Sequence, residues 1–136
     1  MFPNRNADND VTVEWYSTSQ RDVVVDEILE LEENNPGCGG PIELAIERLE
    51  NGEFGKRLPG TDLWEVKAAY SGKAYRVVYA LVKVETDDQT VTGKGRRNAT
   101  TTLVLVLVVF QKQSQALPDR IRKRAESRLR AFKDRQ

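Results

Sequence analysis

The sequence predicts an α+β domain. One antiparallel four-stranded sheet is packed on an N-terminal helical hairpin and a C-terminal helix, in the order β-α-α-β-β-β-α. Three observations carry this. Apolar and polar residues alternate over 11–16 and 63–69, the period of a strand. Apolar residues recur every three or four positions over 24–31, 42–49 and 121–132, the period of a helix. The run from Leu103 to Phe110 is wholly apolar, as a strand buried on both faces is.

A chain of 136 residues fits one domain with a real core, here 11–136, behind a loose polar tail at 1–10. Its 21 Lys/Arg and 21 Asp/Glu cancel only on paper. Residues 1–53 carry 3 Lys/Arg against 13 Asp/Glu, residues 54–110 carry 9 against 5, and residues 111–136 carry 9 against 3. An anionic surface and a cationic one are expected once the chain folds. No histidine is present. That excludes Ser-His triads and the usual zinc hydrolases; no cofactor is expected. The single cysteine, Cys38, rules out an internal disulfide and fits a reducing cytoplasm. Glycines around it are expected to give access, but nothing is there to activate the thiolate, so it is read as incidental. No charged-then-apolar leader opens the sequence, and 103–110 is far too short to span a membrane.

Val11 to Tyr16 is the first predicted strand. Ser19 with Asp22 resembles a capping box for a helix over 20–34, with Val24, Ile28 and Leu31 inward and acids outward. Asn34-Asn35 before Pro36 should stop it. Pro41 suits the first turn of a second helix over 42–51, which Asn51-Gly52 ends. Leu63–Ala69 and Tyr75–Val82 form a hairpin around Ser71-Gly72, where glycine tolerates the positive φ of a tight turn. Two cations, Lys67 and Arg76, interrupt it. On an antiparallel sheet with one solvated face both should stand on the open side. Lys83 to Thr102 is polar: either a long loop, or two strand extensions with a turn near Gly93–Gly95. Leu103–Phe110 should be the most buried strand. Pro118 then opens a helix to about 133, with Ile121, Ala125, Leu129 and Phe132 on one face and basic residues elsewhere. Leu117 is a poor cap, so Ser114 or water must satisfy its first amides.

The run LWEVK, then SG, then YRVVY, then an apolar strand ending FQK, then a proline and a basic amphipathic helix resembles the RelE/ParE toxin superfamily. It is most similar to the HigB-like, phage-derived branch. The resemblance covers roughly 11–133. It implies a toxin of a type II toxin-antitoxin system with a RelE-like fold. The toxin would be a metal-independent endoribonuclease that cleaves mRNA on the 70S ribosome by attack of a ribose 2′-hydroxyl on the adjacent phosphate. The implied partner is a cognate antitoxin, encoded next door and of helix-turn-helix type.

Carried over by position, the resemblance implies catalytic roles for Lys67, Arg76 and Lys112, with Arg76 holding the scissile phosphate through its planar fork. Lys73, Lys94, Arg96, Arg97, Arg120, Lys123 and Arg124 are the implied RNA contacts. Glu65 matches a position that is acidic in HigB-like members. The late tyrosine and the histidines of some members are missing, which leaves the general acid and base unassigned. Each residue also has a plainer reading. Lys67 is solvated, the 83–102 insertion and the last helix are solvated basic faces, and Trp64, Tyr75 and Tyr79 are core. The alternative function is a binding protein on the same fold: a gyrase inhibitor or a phage regulator without nuclease activity.

Overall fold

The computed structural model describes residues 9–87 and 98–135. Among them the order is β1 (Asn9–Trp15), α1 (Val23–Asn34), α2 (Gly39–Leu49), β2 (Lys56–Arg57), β3 (Leu63–Tyr70), β4 (Lys73–Asp87), β5 (Asn98–Gln111) and α3 (Asp119–Asp134). The α+β class is as the sequence predicts. The sheet differs from the expected four antiparallel strands in two ways. It has five strands, ordered β1-β5-β4-β3-β2, because Lys56–Arg57 adds a short strand beside β3. It is also mixed: β1 runs parallel to β5, Asn9 opposite Thr100 and Trp15 opposite Val106. Alternation in a sequence reports which side chains share a face, not which way the neighbouring strand runs. The helical hairpin makes this possible, since a parallel neighbour needs a long crossover.

β5 is therefore an inner strand, and every residue from Thr102 to Val109 is buried. Helices cover both faces of the sheet. Tyr75 and Ala80 of β4 alternate to opposite sides. The Tyr75 hydroxyl accepts from Asn35 Nδ2 at the α1–α2 corner (2.7 Å), whereas Ala80 lines a hollow with Leu129 of α3. Ile121, Ala125, Leu129 and Phe132 are the buried stripe of α3. Each large one contributes roughly 1.5–3 kcal/mol. No helix of the described residues is long and apolar enough to cross a membrane.

Several local expectations change. The Ser19/Asp22 capping box does not form. Thr18 Oγ1 accepts from the amides of Arg21 (3.0 Å) and Gln20 (3.3 Å). That hydroxyl turn competes with the helix, and α1 starts at Val23 instead of 20. Cys38 is fully buried rather than accessible, because it opens α2 inside the core beside Tyr75. The corner around it is held by Glu32, whose two oxygens accept from the amides of Gly37 and Gly39, both at 2.6 Å. Gly37 has φ +98, and a Cβ there would run into the Tyr70 hydroxyl, so only glycine fits. Ser114 does not cap α3. Its hydroxyl donates to Ala116 O, and Pro118 is the N-cap with no side-chain bond.

Of the two readings of 83–102, the described parts are strand extensions: β4 continues to Asp87, which pairs with Asn98. The turn near Gly93–Gly95, with Lys94, Arg96 and Arg97, lies outside the described residues, as does most of the 1–10 tail. Asn9 and Asp10, assigned to that tail, already belong to β1.

Candidate active site

The β3–β4 hairpin turns on Ser71 (φ 51) and Gly72 (φ 78). Two consecutive positive φ values are the tight hairpin turn whose twist matches the strands. With that register fixed, Lys67 falls directly opposite Arg76, and Arg76 directly opposite Phe110 of β5. Lys112 lies two residues past Phe110, and its amide donates to Ala74 O (2.8 Å). Lys67, Arg76 and Lys112 thus share one face at one end of the sheet, although up to 45 positions separate them. Glu65, two residues before Lys67, shares that face.

Their environments differ sharply. Lys67 is exposed and Lys112 half-buried. Arg76, expected on an open side, is instead only 2% exposed, because that face is covered. The irregular strap between β5 and α3 closes over it. Arg76 Nη2 donates to Gln115 O (2.7 Å) and, at 3.4 Å, to Ser114 O. Its Nη1 lies 3.3 Å from Glu65 Oε2, and Glu65 is itself 6% exposed. The pair is close enough for charge attraction but is not a hydrogen bond. Glu65 Oε2 and Arg76 Nε are both buried without a hydrogen-bond partner. Beside them is a cleft of about 270 Å³, with Lys56, Thr61 and Arg122 among its lining.

The Lys112 ammonium is held below the usual lysine range. Partial burial is the largest cause. The positive charges of Lys67 and then Arg76 act in the same direction, and Glu65 opposes them.

The remaining cations scatter. Lys73 is exposed but alternates to the α1–α2 side, away from Lys67. Arg120, Lys123 and Arg124 are exposed on α3, and Arg124 lies 3.9 Å from Glu27 of α1. Arg122, next to the cleft, is engaged by Asp119 (3.1 Å) and Glu126 (3.8 Å). Tyr75 and Tyr79 are core residues, and Trp64 stacks on Tyr79 at 6.4 Å between centroids. Sequence reasoning missed Lys56 and the strap carbonyls at 114 and 115. Backbone carbonyls carry no residue signature, and Lys56 sits in a strand of two residues. Among the described residues no group of three or more His, Cys, Asp or Glu could hold a metal. No family model matches the chain, and neither does any curated protein or solved structure.

Proposed function

We propose that this chain is a RelE-like, metal-independent endoribonuclease toxin, restrained by an antitoxin, that cuts ribosome-bound mRNA. The observation that carries the reading is the convergence of Lys67, Arg76 and Lys112 on one face. The chemistry assigned to them balances. Lys112, as the neutral amine, takes the proton of the 2′-hydroxyl. The 2′-oxygen bonds to phosphorus as the bond to the 5′-oxygen breaks. Lys67, as the ammonium, protonates that leaving oxygen. The products are a 2′,3′-cyclic phosphate and a 5′-hydroxyl. Lys67, and Lys112 once it has taken the proton, also stabilise the charge that grows on the phosphoryl oxygens.

The burial of Arg76 changes its role in this scheme. Its guanidinium is occupied by Glu65 and by the 114–115 carbonyls. Arg76 is therefore a positioning residue. It holds the strap that follows Lys112, and its charge adds to the field that lowers the Lys112 pKa. The same burial favours a second reading, a binding protein such as a gyrase inhibitor, which needs no arginine fork on a phosphate. Primer extension on mRNA from translating ribosomes, run beside a gyrase cleavage assay, separates the two. Discrete mRNA cuts that vanish in Lys67→Ala and Lys112→Ala are expected. Trapped gyrase-DNA breaks with intact mRNA would replace the first reading by the second.

A further inference from the structure

The edge of β5 that faces β1 has two halves. β1 pairs with Thr100 to Val106. Tyr16 N donates the last bond, to Val106 O (2.8 Å), and the chain then departs. Leu107 is a bulge residue with no partner on β4. Beyond it Lys112 bonds toward β4, so by strand alternation Val109 and Gln111 turn their amides to the vacated edge. The fold fills the first vacant positions with side chains. Glu27 Oε1 accepts from Val109 N (3.1 Å), Arg128 Nη1 donates to Leu107 O (2.7 Å), and the two side chains pair at 2.9 Å. They stand in for a strand on an edge that would otherwise be open. The Gln111 amide has no such stand-in among the described residues.

A groove of about 370 Å³ opens over this edge. Val109 to Gln111 form its floor. Glu30 and Leu31 of α1 stand on one side, and Arg120 and Ile121 of α3 on the other. Glu30 and Arg120 are exposed. The groove therefore offers a backbone edge between an acidic wall and a basic wall, each with an apolar patch.

We propose that this groove takes an extended segment of another protein, added as a strand that bonds at Gln111, just beyond the Glu27 stand-in at Val109. Its side chains point alternately to the two walls. Basic residues occupy the alternation facing Glu30, and acidic residues the alternation facing Arg120. Main-chain bonds supply affinity, and the opposed walls reject segments of a single charge sign. The proposal does not rest on the nuclease reading.

The test uses the full chain and three blocked octapeptides: Lys-Glu-Val-Val repeated twice, and the two versions in which both charged positions are Lys or both are Glu. Amide NMR with hydrogen exchange reads the binding. With the mixed peptide, the Gln111 amide is expected to shift and gain protection, while Phe110 and Lys112, already bonded to β4, change little. The single-sign peptides should bind about tenfold more weakly. Gln111→Pro removes an outward amide without touching a β4 bond, and should abolish binding. Glu30→Lys, which leaves the strand intact, should turn the preference toward the all-Glu peptide. That variant decides the matter if the proline variant does not fold. An unmoved Gln111 amide at millimolar mixed peptide, or equal binding of the three peptides, would overturn the proposal. Concentration-dependent protection of Gln111 without peptide would also overturn it, since a second copy would then be the occupant.

Discussion

Lys67 and Arg76 face each other across β3 and β4, yet one is exposed and the other sealed. Both are expected on one open face; they do share a face, but the strap and α3 cover part of it, so it is not open at Arg76. The difference comes from a strap 38 residues further along, which reaches Arg76 and not Lys67. A sheet face is thus not one environment. What the next segment covers decides whether a cation on it is a ligand contact or a structural clamp.

The largest expected effect breaks that comparison at its buried member. Arg76→Ala leaves Glu65 charged and unpaired in the core, which should cost about 3–5 kcal/mol. Urea unfolding reads this directly. The double change Arg76→Met with Glu65→Leu removes both charges at similar volume and should recover most of the loss. If Arg76 were a solvated residue, the single change would cost almost nothing.

The two lysines, one exposed and one half-buried, should behave in the opposite way. Lys112→Ala should lower mRNA cleavage by about 10²-fold and leave the urea midpoint nearly unchanged. Lys67→Ala should follow the same pattern. A loss of activity that tracks a loss of folding would place both lysines with Arg76 instead.

The α1–α2 corner gives a third contrast, a charge held by backbone amides. Bonds from Gly37 and Gly39 hold the Glu32 carboxyl below the usual carboxylate range. A depressed folded pKa adds stability that is present above the unfolded value and is lost as pH falls through the folded one. Glu32→Gln should therefore lower stability at neutral pH and flatten the acid limb of the unfolding curve. Urea titrations at neutral and acid pH check it. The smallest effect belongs to Arg122 and Glu126, a half-exposed pair on α3. Glu126→Ala should change stability by at most about 0.5 kcal/mol.

Much of this was legible in advance. Ser71-Gly72, the stripe from Ile121 to Phe132 and the apolar run at 103–110 each satisfy a local rule that tertiary structure did not override. The parallel direction of β1 was not legible, because alternation carries no direction. Nor was the burial of Arg76, which depends on backbone carbonyls of the strap. Lys67, Arg76 and Lys112 were placed by resemblance, and the register of the hairpin explains why they meet. Lys73 shows the limit of that placement. It lies on the same strand as Arg76 but at odd spacing, so it points to the other side.

The most direct test of the account is the pH dependence of ribosome-bound mRNA cleavage by the wild-type chain and by Lys112→Ala. The neutral amine is the proposed base, and burial with two cations keeps its pKa below that of an ordinary lysine. Wild-type cleavage should rise with pH and level off below the usual lysine value, with no imidazole inflection near about 6.5. The rise should disappear in Lys112→Ala, with the residual rate flat. A variant that folds, cleaves at the wild-type rate and keeps the same pH profile would contradict the assignment of the chemistry to this cluster.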